Sequence, residues 1–172
     1  ILLRKLVENE EFKNKFIIRY QDLLNTSFTE DRLIKLIDEW RSTLLPEVQQ
    51  HIDRWLEEDK QNAYQHMASM ANWEKNIDQM RYYVAEKQEW ERKFIDEKWD
   101  LGGYTAAALS TNNNEGGYLK INTVVVDQEY FRGVFFVNLP IKVIAVPKEG
   151  YKFKGWEGVK KRGNEIEVLP NE

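Results

Sequence analysis

The sequence contains no cysteine. That excludes disulfides, thiolate metal sites and a cysteine nucleophile, and leaves the compartment open. None of its nine glycines precedes Gly102. The first hundred residues therefore cannot build a glycine-rich phosphate loop. No Gly-x-Ser-x-Gly elbow and no His-Arg-Asp or Asp-Phe-Gly signature occurs. The two histidines, His51 and His66, are fifteen residues apart, so a paired-histidine zinc helix is excluded by count. No apolar run approaches the roughly 18 residues of a membrane span. No basic stripe interleaved with aromatics occurs, so nucleic acid is not an expected partner.

What is present is globular in composition: 172 residues, 42% hydrophobic, 13% aromatic and 31% charged, with a formal net charge of −4. Six Trp, eight Tyr and eight Phe supply large apolar bodies for cores or for a partner surface. The chain opens on Ile-Leu-Leu-Arg-Lys-Leu-Val, already helical in pattern, and Ile1 reads as an internal position of a longer protein.

Charge and glycine divide the chain. Residues 1–100 carry 16 basic and 21 acidic side chains, whereas residues 101–172 carry 9 and 8. A glycine-free acidic half followed by glycine-punctuated β-branched runs reads as α+β: an N-terminal all-α segment, then a small antiparallel sandwich-like module. The boundary falls at residues 1–101 and 102–172.

In the first half, Leu2, Leu3 and Leu6 form a short apolar face. Asn9 caps a helix whose stripe is Phe12, Phe16, Ile17, Tyr20, Leu23 and Leu24. Thr29 caps a second, carrying Leu33, Leu36, Ile37, Trp40 and Leu44. Pro46 is expected to open a new helix with Val48, Ile52, Trp55 and Leu56 on its face. Glu57–Ser69 is polar and reads as a loop or frayed helix. Ser69 caps the longest helix, with Met70, Trp73, Ile77, Met80, Val84, Lys87, Trp90 and Phe94 in its stripe and Leu101-Gly102-Gly103 at its end.

In the second half, strands are expected at Tyr104–Thr111, Tyr118–Val126, Phe131–Val137, Ile141–Val146, Tyr151–Phe153 with Trp156, and Ile166–Leu169. Gly163-Asn164 is expected to form a hairpin turn.

Candidate chemistry is sparse. His51 beside Asp53 is a base only in principle, and the plain reading of both histidines is packing or surface. The acidic groups Glu57-Glu58-Asp59 and Asp96-Glu97-Asp100 lack a calcium-loop pattern and read as solvated helix-end charge. Trp40, Trp55, Trp73, Trp90 and Trp99 are either a sugar-stacking platform or core, and core is the commoner fate. Tyr118, Tyr130, Tyr151 and Trp156 are the candidate contacts for a glycan or peptide on the β module.

Three strings carry a family resemblance. They are Leu2-Leu3-Arg4-Lys5-Leu6 with Asn9–Phe12 and Phe16–Asn25, then Pro46-Glu47-Val48 with His51–Trp55, then Trp73–Ile77 leading to Met80-Arg81. Together they resemble the C-terminal helical part of CotH-like kinases, the atypical family first associated with spore coat protein H. The resemblance covers about residues 1–100. Ala85–Trp90 departs from the family's usual turn after the last helix's Arg-aromatic pair, so that helix is expected to run through. The resemblance implies an upstream kinase-like lobe using ATP and a divalent metal. Its nucleotide lysine and metal-binding aspartates would precede Ile1, so no catalytic, cofactor or metal residue is carried onto this sequence. The whole is expected to be a non-catalytic portion whose helices support that lobe. If so, an apolar face should remain exposed, and self-association would be one way to cover it.

The β half, with Gly117–Asn122 and Ile141–Trp156, is similar to divergent internalin-type B-repeat modules; the Ala-x-Pro-x-x-Gly-Tyr-x-Phe-x-Gly-Trp run is the specific part. That resemblance implies a spacer or interaction domain in an exported, cell-surface or periplasmic bacterial protein. The rival expectation is an autonomous carbohydrate- or protein-binding adhesion module.

Overall fold

In the computed structural model, which describes residues 2–59, 67 and 69–171, four helices precede six strands. His66 and most of the polar stretch Glu57–Ser69 lie outside the described residues. The class is α+β, with the helices in the first hundred residues and small antiparallel sheets after them.

Helix α1 is Leu2–Leu6, and α2 is Glu10–Leu24. Asn9 caps α2 by accepting from the Phe12 amide at 2.9 Å, while Glu10 and Glu11 meet the positive end of the helix dipole. Helix α3 is Glu30–Asp59 and runs without a break through Pro46, which corrects the expected restart there. The ring's fixed φ suits a helix. Its missing N–H frees only the carbonyl of Ser42, and residues 42–47 are all exposed, so water can reach it. Helix α4 is Met70–Trp99, capped by Ser69, whose hydroxyl accepts from the Asn72 amide at 3.2 Å. It ends where Asp100 turns left-handed, at φ 51°.

The strands are β1 (Tyr104–Ser110), β2 (Gly117–Ile121), β3 (Val124–Val126), β4 (Tyr130–Phe136), β5 (Ile141–Pro147) and β6 (Glu165–Val168). They form a two-stranded sheet, β1-β4, and a four-stranded sheet, β3-β2-β5-β6, with every pairing antiparallel. The single strand expected over Tyr118–Val126 is two strands, because Asn122 at φ 50° folds the chain back on itself. Asparagine tolerates that left-handed conformation better than most residues. The segment Tyr151–Trp156 is irregular, not a strand. Gly163-Asn164 therefore joins no hairpin, and β6 pairs with β5.

The chain divides into two compact units. One contains residues 1–26 and 91–172, the other residues 27–90. In the first, Leu119, Ile121, Val126, Phe135, Ile141, Val143, Ala145 and Ile166 form the inter-sheet core. A second cluster joins helix to strand: Ile17 of α2 and Ile95 of α4 meet Leu101, Phe136 and Leu139, with Phe16, Tyr20, Trp99 and Tyr104 at its margin. In the other unit, Val48 and Ile52 of α3 close on Trp73 of α4.

Candidate functional site

The most built polar arrangement lies inside the first unit, at the last turn of α2. Ile17 and Leu24 are both buried, and Gln21 sits four residues after one and three before the other, so the helix carries it into the same buried face. Asp22 is buried beside it, and Asn25 follows as the helix cap. A buried polar group stays there only when it is hydrogen-bonded.

Their partners are strand edges. Gln21 Oε1 accepts from the Phe136 amide at 2.7 Å. Asn25 Oδ1 accepts from the Val134 amide at 3.0 Å, and Asn25 Nδ2 donates to the Val134 carbonyl at 2.9 Å. Arg92, buried on α4, donates to the same Asn25 Oδ1 at 3.1 Å. Asp22 reaches the β2–β3 turn. It accepts from the Thr123 amide (2.9 Å), the Thr123 hydroxyl (2.7 Å) and Asn122 Nδ2 (3.2 Å). Arg19 donates to the Thr123 hydroxyl oxygen at 2.7 Å. Asn122 in turn exchanges bonds with Lys142 of β5, at 2.8 and 2.9 Å. Burial pushes the Asp22 carboxyl above the usual aspartate range, against the opposing pull of the Thr123 and Asn122 bonds and of the Arg19 charge.

Chemically, this row is a clamp. Asp22 is buried, and both its oxygens accept from donors of the β2–β3 turn. Local patterning did not single out Gln21, Asp22 and Asn25. The only sequence signal is an amide and a carboxylate, Gln21 and Asp22, set between the apolar Tyr20 and Leu23 of the stripe, with Asn25 just after it.

In the second unit, α3 and α4 are joined by ion pairs at partly exposed positions. Arg41 donates twice to Glu74, at 2.9 and 2.5 Å, and Arg81 bridges Asp38 and Asp78. The Arg41 bond lowers the Glu74 pKa, and the Asp38 bond raises that of Arg81. Two shallow depressions occur here. One, of about 690 Å³, lies along a single face of α3 between Asp31 and Thr43. The other, of about 400 Å³, lies between Ile37 of α3 and Met80, Tyr83 and Val84 of α4. Neither converges titratable groups on a point where a reacting atom could sit.

The helical aromatics do not all bury, which corrects the reading of the Trp series as core. Trp73 is buried, and Trp99 packs beside the second cluster of the first unit, but Trp40, Trp55 and Trp90 are exposed. Leu2, at 74%, and Tyr82, at 71%, are among the most open apolar side chains.

Of the candidate contacts on the β module, Tyr130 and Tyr151 are exposed, at 56% and 49%. Tyr118 is half-buried opposite Val146. Trp156 is also half-buried. It packs on the inter-sheet core, its ring 4.9 Å from that of Phe153, and its indole N–H donates to the Gly163 carbonyl at 2.7 Å. The ring partner of Trp156 is thus a core phenylalanine and not one of the three tyrosines.

Among the described residues, no three His, Asp or Glu side chains come together as a metal site. Asp96 is spent on the Gly103 amide at 2.9 Å, and Glu97 faces Lys93 at 3.9 Å. His51 is exposed. No described helix is long and apolar enough to cross a membrane.

Residues 1–90 match the family model for CotH kinase protein. The chain belongs to that family. No curated protein matches it significantly, and no solved structure does. The CotH match spans α1, α2, α3 and most of α4, and therefore includes the α2 row that clamps β4 and the β2–β3 turn.

Proposed function

We propose that the chain is the non-catalytic C-terminal portion of a CotH-like atypical protein kinase. Its helices support an upstream kinase-like lobe, and residues 102–172 serve as a B-repeat-like spacer or interaction domain on an exported, surface-displayed protein. The observation that carries this reading is the exposed apolar surface on helices that match the family. Leu2, Leu3 and Leu6 of α1 are exposed, and so are Trp40, Leu44 and Tyr82 on α3 and α4. Scattered exposed apolar residues are ordinary, but an α1 face left wholly open, with further large apolar side chains exposed on α3 and α4 beside the buried Ile37, Val48, Ile52 and Trp73, suits surfaces that another body covers. ATP and the divalent metal belong to that upstream lobe.

The test is mass spectrometry of the longer protein after incubation with ATP, magnesium or manganese and a generic protein substrate, with this chain alone as the control. Phosphate transfer by the longer protein and none by this chain is expected. ATP hydrolysis or transfer by residues 1–172 alone would overturn the non-catalytic reading.

A second reading, an autonomous carbohydrate- or protein-binding module, is favoured by the exposure of Tyr130 and Tyr151. A glycan array probed with the chain and with Tyr130→Ala and Tyr151→Ala discriminates it. Binding lost in those variants, with the fold intact, would move this reading ahead of the first.

A further inference from the structure

The β1-β4 sheet has two outer edges, and they differ. The pairs Gly103–Val137 and Thr111–Glu129 are hydrogen-bonded, which fixes the parity of the ladder: odd-numbered residues of β1 bond to odd-numbered residues of β4. The even-numbered residues of both strands turn their amides outward. On β4 those outward groups are taken, since Phe136 and Val134 bond to Gln21 and Asn25. On β1, Ala106 and Ala108 have no hydrogen-bond partner on that side among the described residues, and both are exposed.

Exposed edges are ordinarily blunted by charge, proline or shortness. Elsewhere the chain does this. Strand β3 is three residues long, and β6 carries exposed Glu165 and Glu167. Strand β1 reads Tyr-Thr-Ala-Ala-Ala-Leu-Ser and has no charge and no proline over its seven residues.

We propose that the outer edge of β1 pairs with β1 of a second copy of this chain, antiparallel about a two-fold axis at Ala107, making one continuous sheet β4-β1-β1-β4. The parity requires the axis to pass through a residue and not between two, and Ala107 is the central residue of the seven-residue strand, so an axis there opposes its whole length. Outward-facing residues must oppose outward-facing residues, and an axis at Ala107 sets Ala106 against Ala108 of the second copy and Ala108 against its Ala106. Each pair then exchanges two N–H···O=C bonds. A second copy fits because the edge is neutral. Like charges directly opposed in a self-pair destabilise it, and here there are none. Alanine at every central position lets the backbones approach without steric conflict. Ala107 and Leu109 already pack on the inter-sheet core, so the pairing extends that core across the axis. The contact is isologous and closes at two copies. It is independent of the kinase reading and of the exposed helix faces.

The experiment is sedimentation velocity of the whole chain over a wide concentration range, beside the double variant Ala106→Glu/Ala108→Glu. Both substitutions lie on an exposed face, and the one at position 108 sits opposite Arg132 of its own β4, so the fold is retained. In the pair, each introduced carboxylate opposes one from the other copy. Dimer is expected for the parent, with association weakened roughly two- to thirtyfold in the variant, as two opposed like-charge pairs imply. Ala107→Cys, the only thiol in its variant, is expected to form an intermolecular disulfide, because facing residues of a non-hydrogen-bonded pair lie about 4.5 Å apart at Cα. A chain that stays monomeric throughout, or a double variant that dimerises as well as the parent, overturns the proposal. Should that variant lose its fold, amide exchange in the parent decides. Ala106 and Ala108 must become protected as concentration rises, and exchange rates independent of concentration overturn it.

Discussion

Asn25 hydrogen-bonds to Val134 as a strand residue would, giving Oδ1 to its amide at 3.0 Å and Nδ2 to its carbonyl at 2.9 Å. A helix cap thereby closes the edge of β4 that a further strand could otherwise occupy. Asn25→Ala strands both groups of Val134 and one bond of Arg92. Each unsatisfied buried group costs about 1–3 kcal/mol, so a loss of roughly 2–4 kcal/mol is expected in urea denaturation of the intact chain. Asn25→Asp keeps the acceptor and loses the donor, and should fall between the parent and the alanine variant. An alanine variant as stable as the parent would mean that water replaces the clamp.

Asp22 gives a pH signature. Its folded pKa is raised by burial, so the folded state favours the protonated form more than the unfolded chain does. The sign follows: this contribution to stability is fully present below the unfolded aspartate value and is lost as pH rises through the folded one. As pH rises above the unfolded aspartate value of about 4, the melting temperature of the parent should therefore decline relative to that of Asp22→Asn. A difference that is flat with pH, or that runs the other way, would show that the Thr123 and Asn122 bonds outweigh burial.

Gly133 is set by space, not by φ. A Cβ there would stand 2.8 Å from the Phe135 ring and 2.9 Å from Asn25 Nδ2. Phe135 is fully buried and cannot swing away. Gly133→Ala should cost about 1–3 kcal/mol, the usual penalty of overpacking, and should lower the thermal midpoint. Gly155→Ala, which meets nothing within 4 Å, is the matched control.

Trp156 and Tyr130 should separate stability from contact. Trp156→Ala removes packing on the core and the indole bond to Gly163. It is expected to cost about 2–4 kcal/mol, slightly below full aromatic truncation because the ring is only half-buried. Tyr130→Ala removes an exposed ring and should leave the denaturation midpoint within about 0.5 kcal/mol of the parent. A Trp156 variant of unchanged stability would return that residue to the list of contact candidates.

Periodicity and caps made the helices legible. Asn9 and Ser69 stand where the helix starts require, and the glycine boundary marks where strands begin. Local pattern was a poorer guide wherever one residue's behaviour depended on its surroundings. Pro46 looked like a start because it lacks an N–H, but an exposed helix tolerates that loss. Asn122 lay inside an apparent strand because its neighbours are β-branched, and its left-handed turn answers to Asp22 and Lys142.

Residue type and spacings of three, four and two were enough for the α+β class, the order of helices before strands, and the lack of thiol and glycine-loop chemistry. The burial of particular polar groups and the closing of particular strand edges came only with the assembled fold. Gln21 meets Phe136 across 115 positions, and Asn25 meets Val134 across 109. No local window contains both ends of such a bond. A buried amide is stable only once the distant strand that satisfies it has been brought alongside.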